Sequence, residues 1–288
     1  MRVDSLLAAG HTRSFEFFPP KSDDESATLA ATLAALEPLA PSFVSVTYRG
    51  GRESRQRTFD LVTRIQRTGR LTVMAHVVCV DHTVAELREI LTRYRDAGVE
   101  NLMVLGGDAT GASGVSEVVH AIDLVRIARG AGEFSVGVAA HPQVHPRSPD
   151  RASDRRRLAD KLSEADFAIT QFFFDANEWS DLVGELSELG VTRPVVPGIM
   201  PVTTLAGVER MAAMGGPVPD HLVARLAAAS RFGPLAVRAE GVAAATELCR
   251  DLIDRGAPGL HFYTLNRSTA TREVHAALYG DDAPESVD

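Results

Sequence analysis

Lysine is nearly missing from this 288-residue chain. Lys21 and Lys161 are the only two, and almost all of the 30 basic side chains are arginine. Neither lysine lies inside an apolar run, so chemistry through a desolvated lysine amine has little to draw on. Cysteine is almost as scarce. Cys79 and Cys249 have no metal-ligand spacing and make no disulfide framework. No apolar run reaches the roughly 18 residues that span a bilayer. The opening "MRVDSLLAAGHTR" has an early Asp and a short apolar run rather than a signal-peptide pattern, so a cytoplasmic protein with no membrane partner is expected. A net charge of −8 argues against nucleic acid as a partner. There is no H-x-H or H-E-x-x-H for a metal and no G-x-S-x-G for a serine nucleophile. The glycines of "GGDATGASG" (106–114) miss the G-x-G-x-x-G dinucleotide spacing.

What the chain does have is a regular alternation. Eight short apolar runs fall at 14–18, 42–48, 72–80, 101–107, 134–140, 167–174, 194–200 and 260–265. Their near-continuous hydrophobicity suits parallel strands buried on both faces. Amphipathic stretches separate them. One opens with Ser22 as an N-cap and acidic residues in its first turn. Two or three helices fit between the seventh and eighth runs, and a last helix fits 268–279. Eight βα units without a composition break predict a single-domain α/β fold, a (β/α)8 barrel over residues 1–280, with an acidic, flexible tail at 281–288. A doubly wound sheet is the alternative.

Barrel enzymes collect their chemistry at the C-terminal ends of the strands. Glu16, Thr47, Tyr48, His76, Asp108, His141, His145, Thr170, Gln171, Tyr263, Asn266 and Arg267 all fall there. Glu16 is the most pointed of these, because "RSFEFFPPK" (13–21) sets a carboxyl among three phenylalanines. Such a residue is either half of a structural ion pair or a working acid whose pKa the apolar surroundings raise.

The segments "SFEFFPPK", "FVSVTY", "MAHVVCVD", "LGGD", "AAHPQVHP", "AITQFFFD", "PGIMPVT" and "LHFYTLNR" occur in an order and spacing that resemble the methylenetetrahydrofolate reductase family across nearly the whole chain. The resemblance implies a (β/α)8 barrel that reduces 5,10-methylenetetrahydrofolate to 5-methyltetrahydrofolate with NADH or NADPH, in this family through FAD. It makes Glu16 the acid that protonates N10. Asp108 becomes the carboxylate beside the pterin that stabilises the iminium. Gln171 becomes a contact to pterin and nicotinamide, and Thr47, with Tyr48, lies on the nicotinamide side. Tyr263 and Arg267 fall on the folate side. Leu205 stands where the family often has a phenylalanine against the aminobenzoate ring. His76, Asp108, His145, Asp154 and Lys161 match flavin-contact positions.

Other flavin positions depart from the pattern. Gly106 and Gly107 precede Asp108 where the family reads Arg-Gly-Asp, and His120 and His141 replace tyrosines. Arg157 replaces a small amide, and Asp160 a basic residue. An acidic group near a pyrophosphate is repulsive. Two readings follow. FAD is weakly bound or absent and the hydride passes straight from NADH to the folate, or FAD is kept through Arg155, Arg156 or Arg157. Another flavin barrel, such as a proline dehydrogenase, would share the fold without explaining Glu16, Gln171 and the folate-side segment together.

Overall fold

The computed structural model describes residues 1–48, 52–107 and 116–280. Asp108 and the acidic tail therefore lie outside the described residues. Helix α1 (Val3–Ala9) leads into β1 (Thr12–Phe17) and α2 (Asp23–Leu36). Then come β2 (Phe43–Val46), α3 (Arg52–Thr68), β3 (Val73–Val78), α4 (Val84–Asp96), β4 (Asn101–Leu105) and α5 (Ala121–Ala131). The second half continues with β5 (Ser135–Ala140), α6 (Arg151–Glu164), β6 (Phe167–Phe172), α7 (Ala176–Glu188) and β7 (Val195–Ile199). Three helices follow, α8 (Leu205–Ala213), α9 (Asp220–Ser230) and α10 (Pro234–Asp254), before β8 (Gly259–Tyr263) and α11 (Thr269–Tyr279). The eight strands pair in sequence order and close into a barrel, β8 lying parallel to β1. Each of the eight apolar runs became one strand.

Two layers of core follow from the period-two alternation of a strand. Outward-facing Phe15, Phe17, Val44, Val46, Val136 and Val138 pack with helix residues such as Leu29, Leu87, Leu124 and Leu182 in the main hydrophobic layer. Inward-facing Phe43, Met74, Met103, Phe167, Ile169 and Val196 fill the barrel itself. Local signals set the helix starts. Ser22 Oγ accepts the Glu25 amide at the head of α2, and Thr83 with Glu86 forms a capping box on α4.

Helix α1 was not expected from its short apolar run. It stoppers the N-terminal end of the barrel, with Val3 and Leu7 joining the inner core. Its first amides find strand side chains: Val3 N donates to Asn101 Oδ1 at 2.7 Å and Asp4 N to Ser135 Oγ at 3.0 Å. That end is thereby dry and apolar, and polar inward residues gather toward the opposite end. Among the described residues no helix is long and apolar enough to cross a membrane.

Space inside the barrel is tight where Gly137 on β5 pairs with Phe167 on β6. A Cβ at 137 would lie 2.5 Å from the Phe167 ring. Gly137→Ala is expected to destabilise the fold by about 1–3 kcal/mol through overpacking. Urea unfolding of the two proteins checks this, with a lower midpoint and an unchanged slope expected.

Candidate active site

Glu16 points into the barrel, and the alternation of β1 sends Phe15 and Phe17 to the other face. The phenylalanines therefore do not surround the carboxyl, as the sequence suggested. Its neighbours are polar groups from three other strands. Glu16 Oε2 accepts hydrogen bonds at 3.4 Å from Ser45 Oγ on β2 and from His261 Nε2 on β8. His76 Nε2 on β3 lies 3.4 Å from the same oxygen. Barrel register makes this meeting: Glu16 is opposite Ser45 on one side and Tyr263 on the other, and Ser14 is opposite His261. His261 Nδ1 is 2.8 Å from Ser14 Oγ, so a buried hydroxyl holds the far side of the ring.

Charge in this cluster is set by competition. Burial pushes the Glu16 carboxyl up, but the His261 hydrogen bond, supported by Ser45, more than offsets it, and the group sits below its ordinary value. That corrects the expectation of a raised carboxyl. Burial pushes His76 down, against the nearby Glu16 charge, which favours its neutral ring. The resting carboxyl thus favours its ionised form, with Ser45 and His261 bonded to it.

Around this centre the other expected residues divide into two kinds. Some offer free chemistry. Thr47 follows β2 with its hydroxyl buried and without a hydrogen-bond partner among the described residues. Arg267 is exposed just past β8, and Leu205, 42% exposed, opens α8. The rest have groups already engaged by the fold. The Tyr263 hydroxyl donates to Thr170 O at 2.6 Å, and its ring fills the space a side chain at Gly198 would need. Its ring and the acceptor side of its hydroxyl oxygen remain for a ligand. Gln171 accepts from Phe172 N and donates from Nε2 to Met214 O at 3.2 Å, tying β6 to the turn after α8. Tyr48 hydrogen-bonds His82 Nε2 at 2.9 Å, while His82 Nδ1 bonds the Val80 carbonyl.

The matches to known proteins agree with this arrangement. A family model described as methylenetetrahydrofolate reductase matches residues 2–279. The chain belongs to the methylenetetrahydrofolate reductase family. The 5,10-methylenetetrahydrofolate reductase of Escherichia coli (strain K12) is 34% identical over 262 residues, covering 88% of this chain and 86% of that protein. Methylenetetrahydrofolate reductase (NADH) 1 of Arabidopsis thaliana is 30% identical over 284 residues, 92% of this chain and 48% of the plant protein. A solved Clostridium thermocellum protein that binds two copies of 5-methyl-5,6,7,8-tetrahydrofolic acid superposes with a TM-score of 0.69, covering 97% of this chain and 98% of that one. At 15% identity, this last likeness is one of fold.

Of the residues expected near a flavin, His76 sits on β3 beside Glu16, while Gly106, Gly107, His141, His145, Asp154 and Lys161 lie past β4 and β5. Gly106 and Gly107 follow β4, and Arg147 Nη2 reaches across to the Gly107 carbonyl at 3.3 Å. His141 and His145 meet edge to face, with ring centroids 4.5 Å apart. Burial, helped by His145 and Lys161, pushes His141 down to about 4. Lys161 Nζ donates to Ala139 O at 2.8 Å, and burial pushes it down to about 8 against the pull of Asp154. Asp154 is a brace rather than an open ligand: it accepts from His145 N and Ser148 Oγ and pairs with Arg155 at 2.7 Å.

Arg155, offered by sequence as a compensating phosphate contact, is 3% exposed. Its guanidinium is consumed by the carbonyls of His141, Pro142 and Gln143 and by Glu185. It holds the β5–α6 loop in shape. Arg156 and Arg157 are exposed on α6. Arg155→Ala would strand Asp154 and three loop carbonyls, and is expected to cost about 3–5 kcal/mol, as for breaking a buried ion pair from one side. A thermal melt that stays within a degree or two of the parent protein would contradict this account of the loop.

Proposed function

We propose that the protein reduces 5,10-methylenetetrahydrofolate to 5-methyltetrahydrofolate, with Glu16 as proton donor to N10 and the hydride passing directly from a reduced nicotinamide dinucleotide. The observation that carries this reading is the buried Glu16 carboxyl held against His261, in a chain of this family.

The folate's methylene carbon bridges N5 and N10. When N10 takes a proton, the C–N10 bond breaks with its electron pair going to N10. The N5 lone pair then forms an iminium with the methylene carbon. Hydride from the nicotinamide adds to that carbon, giving the N5-methyl group and the oxidised dinucleotide. Glu16 must supply the proton although its carboxyl sits low in the free protein. The pair resolves this. Carboxylate with imidazolium and carboxylic acid with imidazole contain the same number of protons. When a pterin displaces water from the barrel mouth, the charged version loses its hydration, and the neutral version, with the proton on Glu16, is favoured. Proton transfer over one hydrogen bond then readies the acid. Glu16 is reprotonated from solvent through His261 after product leaves.

Placement of the rest follows from what each group has free. The unpartnered Thr47 hydroxyl suits the nicotinamide side, as does Gln171 once its amide turns from Met214. Tyr48 lines that side through its ring. The Tyr263 ring and Leu205 offer apolar surface to the folate, and Arg267 suits the acidic glutamate moiety. Asp108, outside the described residues, would stabilise the iminium. The plant relative named for NADH supports a nicotinamide dinucleotide as the donor.

The β4–β5 rim fits FAD poorly. Its buried cations, Arg155 and Lys161, already donate to backbone carbonyls, and Arg147 reaches the Gly107 carbonyl. Two imidazoles crowd together where the family pattern has a tyrosine. Asp160 adds negative charge on α6. These features support direct transfer.

Two outcomes are expected. Purified protein should show no stoichiometric flavin band near about 450 nm, and double-reciprocal plots with dinucleotide and folate varied should intersect. A flavin band with parallel lines would establish the flavin shuttle instead. Glu16→Gln should fold normally and lose nearly all reduction of methylenetetrahydrofolate, on the order of 10²–10⁴-fold in kcat. Retained activity would refute the acid assignment.

A further inference from the structure

Hydrogen-bonded pairing between β1 and β8 ends at Glu16 opposite Tyr263. Beyond it, β1 runs through Phe17 and Phe18 into Pro19 and Pro20, which cannot donate to a neighbouring strand. On the β8 side the strand end therefore has no backbone partner past Glu16, although β2 still pairs with Phe17 on the other side. Side chains of the next turn continue the ladder instead. Asn266 Oδ1 accepts from Phe18 N at 2.8 Å, and Asn266 Nδ2 donates to Phe18 O at 2.9 Å. Thr264 Oγ1 donates to the Glu16 carbonyl at 2.6 Å and accepts from Asn266 N at 3.1 Å.

The turn that makes this possible is unusual. Arg267 N donates to Thr264 O at 2.9 Å, closing a four-residue turn. Both central residues have positive φ, 51° for Leu265 and 58° for Asn266. Turns of this φ pattern normally use Asn and Gly, and a leucine there is strained. Strain of this kind persists where the surrounding structure requires it and gathers at functional sites. Thr32 Oγ1 on α2 also donates to Asn266 O at 2.9 Å, which fixes the turn from the outside. The next residue is Arg267.

We infer that Asn266 and Thr264 are positioning residues that clamp the end of β1, so that the Glu16 carboxyl keeps its place against His261 and stays at a fixed offset from Arg267. The inference rests on Glu16 acting as the acid and Arg267 as a folate contact. The clamp joins the group that opens the methylene bridge to the group that anchors the far end of the same molecule. A single strained turn thus sets the spacing between the two ends of the substrate.

The test uses Asn266→Gly, which keeps the left-handed backbone while removing the amide, together with Thr264→Val and Thr264→Ser. Asn266→Gly and Thr264→Val are expected to lower kcat with methylenetetrahydrofolate roughly 10- to 100-fold. The KM for the dinucleotide should stay near its parent value, and the alkaline limb of the kcat–pH profile should move. Thr264→Ser, which retains the donor to the Glu16 carbonyl, should restore both. If Asn266→Gly does not fold, the threonine pair decides alone. Folded variants with parental kcat and an unmoved limb would overturn the clamp, as would a Thr264→Ser protein no better than Thr264→Val. Glu16→Gln separates the two claims. If it stays active, the acid assignment falls. If it is dead while the clamp variants behave as the parent, only the clamp falls.

Discussion

An ionisable carboxyl enclosed by a parallel barrel is the constraint to which the rest of this structure answers. Leaving Glu16 there unpartnered would cost several kcal/mol. The partner that relieves it, His261, is 245 residues away in sequence and arrives only when β8 closes on β1. Closure of the barrel and assembly of the acid are therefore the same event. Ser14 adds a second tie from the same strand, holding the far nitrogen of His261. At the other end, α1 and the inner apolar layer cover the barrel, and the polar Asn101 and Ser135 there accept the first amides of α1. The polar groups around Glu16 stand apart from that end.

In the proposed reaction, the pair's dependence on hydration lets a carboxyl below its ordinary value serve as the acid, the proton moving over one hydrogen bond to Glu16 as water leaves. The rim works by a different logic. Arg155, Arg147 and Lys161 give a basic appearance to the region beyond β5, yet their donors close loop carbonyls. Charge count alone would have suggested a phosphate site. The hydrogen bonds describe a braced loop instead.

Much of the fold was legible because burial on both faces writes itself as apolar runs. All eight strands, the Ser22 cap and the last helix could be read directly, and the two or three helices expected before β8 are three. Helix α1 escaped because a seven-residue segment is too short for periodicity to show which surface it covers. The geometry of the candidate site was less legible. Glu16 drew attention through its odd neighbours, but Phe15 and Phe17 face away, since flanking residues on a strand are on opposite faces. The same alternation could have found the true partners. Residues two apart share a face, so Ser14 accompanies Glu16, Ser45 accompanies Thr47, and His261 accompanies Tyr263. Arg155 was misjudged because sequence does not show which arginine on a helix turns inward. Thr264 escaped, and Asn266 was placed at the rim without its bonds to Phe18, for a related reason: backbone-directed hydrogen bonds leave no pattern of spacing.

In the proposed reaction Glu16 and His261 share the catalytic proton, and the pH dependence of single-turnover reduction of methylenetetrahydrofolate, for the parent protein and for His261→Asn, tests this sharing. Two sites that share a proton lose the last one at a higher pH than either does alone. His261→Asn is therefore expected to slow the reaction and shift its alkaline limb to lower pH. A limb at the same pH in both proteins would contradict the sharing and mean that Glu16 holds the proton alone.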